Sequence, residues 1–183
     1  MRHSGRSATR NMVLAAVMAA LTAAGAFIKI PLGYTAITLQ FMFTLLAGVL
    51  LGPGWGAASQ AVYVALGLLG VPIFTMGGGP GYVLQPSFGF LLGLIPMAAV
   101  CGAVCRRVPG LKGVLLGCLA GEAAGYLIGV PYMGLILNAY LGKGLSAGAV
   151  IVSGMLIYLP GDCLKVAAVA ALAGPLKKAL DKS

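Results

Sequence analysis

Acidic residues are almost missing from this chain. Its 183 residues include three, Glu122, Asp162 and Asp181, against twelve Lys and Arg, for a formal net charge of +9. Charge of either sign is scarce, at 8% of residues where a soluble domain carries about 25%. From Ile30 to Cys105 no Asp, Glu, Lys, Arg or His occurs, and the single histidine is His3. These shortages remove most catalytic chemistry. No HExxH, GxSxG or CxxC pattern is present. Gly142-Lys143-Gly144 lacks both the upstream glycine and the Ser or Thr of a nucleotide-phosphate loop. The four cysteines, Cys101, Cys105, Cys118 and Cys163, all lie in apolar segments, where they read as small apolar residues and not as a disulfide or metal framework. The expectation is a protein that is no enzyme and holds no metal or cofactor.

What is abundant is apolar sequence, 60% of residues with a mean hydropathy of +1.02. A membrane span needs about 20 apolar residues, and the uncharged run from 30 to 105 suits three spans joined by short loops. Long unbroken runs argue for helices over the alternating strands of a membrane barrel. Six spans are expected, at about 12–28, 36–51, 57–74, 87–105, 113–134 and 147–173. The first is too long for the core of a secretory signal peptide and reads as a transmembrane helix. Residues 29–35, 75–86 and 138–146 read as loops, and Gly52-Pro53-Gly54-Trp55-Gly56 as a tight turn with Trp55 at an interface.

This describes an all-α integral membrane protein: a basic tail over 1–11, one transmembrane domain over 12–176 and a second basic tail over 177–183. An even number of spans puts both termini on one side. Arg2, Arg6, Arg10, Arg106, Arg107, Lys112, Lys177, Lys178 and Lys182 collect there, and only Lys29 and Lys143 lie opposite. That asymmetry makes both termini cytoplasmic. Basic residues at span ends point to topology and anionic lipid, not to nucleic acid.

Small residues mark helix contacts. The first span carries two ridges spaced by four, Ala15-Ala19-Ala23 and Ala16-Ala20-Ala24, and the fifth carries Gly113, Gly117, Gly121, Gly125 and Gly129.

The costly residues are the informative ones. Asp162 and Lys165 lie three apart, on one face of a helix, and each costs about 2.5–3.5 kcal/mol at the centre of a membrane helix. Pro160-Gly161 just before them is expected to loosen the helix and free carbonyls. The pair reads either as a self-neutralising structural feature or as a recognition pair, with Asp162 accepting N–H donors and Lys165 donating to a carbonyl or carboxylate. Tyr34, Tyr82 and Tyr126 offer apolar faces with polar tips. Glu122 reads equally as a hydrogen-bonded structural residue and as part of the site. The glycine-rich loop 75–86, with Gly79, Tyr82 and Gln85, reads as a plain connector or as a lid over a cavity, and is expected to be too flexible for helix.

Five stretches, in this order and spacing, carry a resemblance. They are Ile37-Thr38-Leu39-Gln40-Phe41, Leu51-Gly52-Pro53, Gly70-Val71-Pro72-Ile73-Phe74, the loop Gly77 to Tyr82, and Leu159-Pro160-Gly161-Asp162-Cys163-Leu164-Lys165. Over about 12–176 the chain resembles the biotin-specific S components of energy-coupling-factor (ECF) transporters, the BioY family. The resemblance implies a six-helix S-component fold in the cytoplasmic membrane and high-affinity biotin capture in a pocket near the outer face. It implies ligand contact by Asp162 and Lys165, with Gly79, Tyr82, Gln85, Tyr34, Gln40, Tyr126 and Glu122 as further candidates. It also implies docking of the Ala15, Ala19 and Ala23 face onto the coupling protein EcfT, with two ABC ATPases supplying energy. The alternatives are an S component for another small vitamin, or a stand-alone proton-coupled carrier working through Glu122 and Asp162.

Overall fold

The structure, a computed structural model, describes the backbone of residues 3–182 and the side chains of residues 8–180. Arg2, and the side chains of Arg6 and Lys182 in the expected tails, lie outside that description. Among the described residues, five helical stretches are long and apolar enough to cross a membrane: Ala8–Phe27, Gln40–Leu68, Phe88–Arg107, Gly110–Tyr140 and Ala147–Leu180. Their outward faces carry Leu115, Leu116, Leu119, Leu127, Leu164 and Leu172, all exposed. A lipid phase tolerates such surfaces and water does not.

Helix α1 spans His3–Phe27 and α2 spans Gln40–Leu68. Helix α2 breaks at Gly52, whose φ of 80° and ψ of −176° are far from helical, and Pro53 follows without an N–H to donate. Its two arms, 40–51 and 53–68, lie side by side. Thr44 Oγ1 donates to Gln60 Oε1 at 3.0 Å, and Gln40 Nε2 to Tyr63 Oη at 2.8 Å. The closeness depends on small residues: a Cβ on Gly56 would lie 3.0 Å from Gly48 Cα.

Helices α3, Phe88–Arg107, and α4, Gly110–Leu135, pack along most of their length. The glycine ridge of α4 makes this contact. A Cβ on Gly121 would lie 2.8 Å from Met97 O, and one on Gly93 of α3 would lie 2.8 Å from Gly125 O. Backbone meets backbone with no side chain between, as small-residue ridges permit. The chain ends with short α5, Ala147–Ile151, and long α6, Leu159–Lys182. Arg10 at the start of α1 hydrogen-bonds Leu180 O near the end of α6, so these two helix ends are neighbours.

The structure corrects several expectations. Residues 29–35 are no simple loop. Lys29–Leu32 (β1) and Thr35–Thr38 (β2) pair as an antiparallel hairpin, in register Lys29↔Thr38 to Leu32↔Thr35, around Gly33 at φ 60°. The fold is therefore helical with one small hairpin. Helix α2 ends at Leu68 and not at 74, because Gly70 adopts φ 104° and Pro72 follows. The glycine-rich loop contains a 3₁₀ turn, Pro80–Leu84, set by the fixed φ of Pro80 at its first position. Pro160-Gly161 lies in the first turn of α6, where proline is tolerated. The loosening falls one turn earlier, in the π-helical turn Val152–Leu156, because a proline ring clashes with the carbonyl four residues before it, here that of Leu156.

Candidate functional site

The irregular elements gather at one end of the bundle. The hairpin, the 3₁₀ turn and the π-turn before α6 are tied together there by side chains reaching backbone carbonyls. Tyr158 Oη donates to Leu32 O at 2.6 Å, Tyr132 Oη to Val83 O at 2.6 Å, and Lys29 Nζ to Thr75 O. Beneath them lies an open cavity of about 570 Å³, its mouth included. Strand β2, both ends of the glycine-rich loop, and helices α2, α3, α4 and α6 line it.

Asp162 and Lys165 are its charged members. Asp162 is 1% exposed and Lys165 is 7% exposed. Their shared helix face brings Lys165 Nζ to 2.7 Å from Asp162 Oδ1. Asp162 Oδ2 accepts a hydrogen bond from Tyr126 Oη on α4. Both carboxylate oxygens are thus held, which fixes the plane of the group before any ligand arrives. The Lys165 ammonium also lies 5.3 Å from the centre of the Phe41 ring, a cation–π distance. Phe41 and Phe90 both meet the Tyr126 ring edge-on, at 5.9 and 6.1 Å.

A second polar chain lines the wall contributed by α2. Thr38 Oγ1 donates to Gln40 Oε1 at 2.9 Å, Gln40 Nε2 donates to Tyr63 Oη, and Tyr63 Oη donates to Ile73 O at 3.0 Å. Tyr63 does not line the cavity, but it fixes which way the Gln40 amide points. On the loop side, the hydroxyls of Thr75 and Tyr82 are 2.8 Å apart and Ser87 is adjacent. The Tyr82 ring packs at a tilt of 56° against Phe74, centroids 4.7 Å apart, which roots the loop in the core.

Among the candidates named from sequence, Asp162, Lys165, Tyr126, Tyr82 and Gln40 converge on the cavity. The other four lie off its lining. Gly79, at φ 100°, starts the 3₁₀ turn and donates its N–H to Gly67 O at 2.7 Å. Gln85 caps that turn and is half-buried. Tyr34 sits at the tip of the hairpin, 40% exposed. Glu122 is buried one turn along α4 from Tyr126, and its Oε1 has no hydrogen-bond partner among the described residues. Thr35, Thr38, Phe41, Thr75, Ser87, Phe90 and Tyr158 also line the cavity, and sequence alone does not single them out. Their signal is faint: two threonines in an alternating stretch that ends at Gln40.

The two alanine ridges of α1 differ in exposure. Ala15 and Ala19 are buried within this chain and Ala23 is half-buried, with Ala15 packed beside Met18, Ala47 and Leu51. They face α2 because Thr22, on the same side, accepts a hydrogen bond from Gln60. The exposed ridge is the other one, Ala16, Ala20 and Ala24.

Comparison with known proteins places this geometry. The model of the BioY family matches residues 1–182. A probable biotin transporter BioY from Lysinibacillus sphaericus is 43% identical over 165 residues, covering 88% of this chain and 84% of that protein. The biotin transporter BioY of Thermotoga maritima is 33% identical over 173 residues, covering 92% and 96%. A crystal structure of the S-component for biotin from an ECF-type ABC transporter superposes with a TM-score of 0.83 at 25% identity, covering 96% of this chain and 94% of that one.

Proposed function

The chain belongs to the BioY family and serves biotin uptake as the S component of an ECF transporter, and from that premise we propose that the cavity beneath the hairpin is its biotin site. It is a multi-pass membrane protein and not an enzyme. The observation that carries the site is the Asp162 carboxylate, buried, held at both oxygens and open to the cavity.

Biotin has an uncharged ureido ring at one end and a carboxylate at the other. The ureido N–H groups suit Asp162, and the ureido carbonyl suits an ammonium whose charge is already balanced. A second carboxylate beside Asp162 would be repelled. The ligand's carboxylate therefore points away, toward the hydroxyls of Thr75, Tyr82 and Ser87 under the glycine-rich loop. The apolar ring and tail contact Phe41, Phe90, Leu91 and Leu94. Biotin should raise the melting temperature of the purified protein, Asp162→Asn should abolish the shift, and Thr75→Ala with Ser87→Ala should narrow the preference for biotin over its uncharged amide. Absence of any biotin shift in the parent protein would sink the site assignment.

The wider assembly follows the same reading. Six spans with cytoplasmic termini are supported by the break at Gly52 with its paired arms, by the Arg10–Leu180 contact and by the lysines and arginines gathered at that end. The membrane is the cell membrane, and the partners are EcfT and two ABC ATPases. The ridge offered to EcfT is Ala16, Ala20 and Ala24, flanked by exposed Val13 and Val17. Ala20→Leu should weaken co-purification with EcfT and leave biotin binding unchanged. Equal co-purification would remove that ridge from the interface.

A further inference from the structure

At the opposite end of the bundle from the biotin cavity, a second hollow of about 450 Å³, mouth included, is lined by Arg106 and Lys177 beside half-buried Leu50 and Cys105. Its geometry comes from close backbone packing. A Cβ on Gly102 of α3 would lie 2.5 Å from Gly52 C, so α3 rests directly on the break in α2. A Cβ on Gly52 would lie 2.7 Å from Arg106 Cζ, so the guanidinium covers that glycine. The two cations come from different helices, α3 and α6, and converge on one hollow. Neither has an acidic or carbonyl partner among the described residues, where the one ion pair is Lys165–Asp162. Arg107, Lys112 and Lys178 add positive charge at the same end.

Two cations without an acidic partner among the described residues, at the end of a membrane bundle, match the phosphodiester of a lipid headgroup. The guanidinium fork suits phosphate oxygens, and basic hollows between membrane helices on the cytoplasmic side hold anionic headgroups. We propose that Arg106 and Lys177 form a binding site for the phosphate of an anionic phospholipid headgroup, whose acyl chain begins against half-buried Leu50. A free phosphate shares the headgroup chemistry but has no hydrocarbon to meet Leu50. The proposal is independent of where biotin binds.

The full-length protein in neutral detergent tests it, with added phosphatidylglycerol, phosphatidylcholine or inorganic phosphate and a thermal-shift readout. Phosphatidylglycerol should raise the melting temperature and phosphatidylcholine should not. Arg106→Gln and Lys177→Gln should each weaken the apparent lipid affinity about fivefold, the worth of one Lys or Arg at an anionic surface. Arg107→Gln and Lys178→Gln remove the same charge outside the hollow and should leave the affinity unchanged. Biotin binding, measured on every variant, reports that the fold survives, and exposed Lys177 gives a variant whose folding is not in question. An equal loss in all four variants would mean bulk charge attraction and overturn the site. A shift reproduced by inorganic phosphate alone would overturn the lipid assignment, and no difference between the two lipids would overturn both.

Discussion

Thr22, Thr44, Ser59 and Gln60 form one buried polar cluster, and Asp162, Lys165 and Tyr126, with Gln40 beside them, form the polar lining of the cavity. In the first, Gln60 Nε2 donates to Thr22 and Ser59 while its Oε1 accepts from Thr44, and all four residues are 0% exposed. None of them touches the cavity. In the second, the groups are just as well partnered but every member lines open space. Polarity inside a membrane bundle thus has two uses. A cluster closed on itself fastens helices together, here α1 to both arms of α2. A cluster that keeps one side open presents fixed donors and acceptors to a guest.

The largest effect should come from Asp162→Asn. It removes a charge-assisted acceptor, worth about 1.5–3 kcal/mol, and leaves Lys165 buried without its partner. Biotin affinity should fall about ten- to a hundredfold by calorimetry, since about 1.4 kcal/mol is a factor of ten. A loss under tenfold would show that the open cluster is structural. Next is Gln60→Ala, which leaves the buried Thr44 hydroxyl without its acceptor at about 1–3 kcal/mol, while Thr22 keeps its bond to Met18 O. The melting temperature should drop by several degrees while biotin affinity stays within about threefold of the parent. A collapse of affinity at unchanged stability would erase the distinction between the clusters. Tyr126→Phe deletes one hydrogen bond to Asp162, and a reduction of about tenfold in affinity is expected. Smallest is Tyr34→Ala at the exposed hairpin tip, where affinity should change by less than about twofold.

How far the sequence foretells this depends on the kind of signal. Asp162 and Lys165 are legible because charge in an apolar helix is costly, and spacing alone puts them on one face. The glycine ridge of α4 is legible because five glycines at a spacing of four line up along one side of a helix, where they leave room for a neighbouring backbone. The hairpin is not. Its turn, Leu32-Gly33-Tyr34, lacks the Asn-Gly or Asp-Gly signal, and its strands are four residues each. The alanine ridges of α1 are ambiguous by themselves, since both have the same spacing. Thr22 is the usable clue, because a polar residue in a membrane helix seeks a neighbouring helix, and Ala15, Ala19 and Ala26 share its face. Tyr63 escapes a sequence reading because it acts through Gln40, 23 positions away.

The Lys165–Asp162 pair has an electrical consequence. One positive and one negative charge 2.7 Å apart add nothing to the charge that moves when the site changes sides. The cargo's own carboxylate then sets the work: one negative charge carried inward against an inside-negative membrane potential, about 2.3 kcal/mol for each 100 mV. Hyperpolarisation should therefore slow uptake of biotin more than uptake of its uncharged amide.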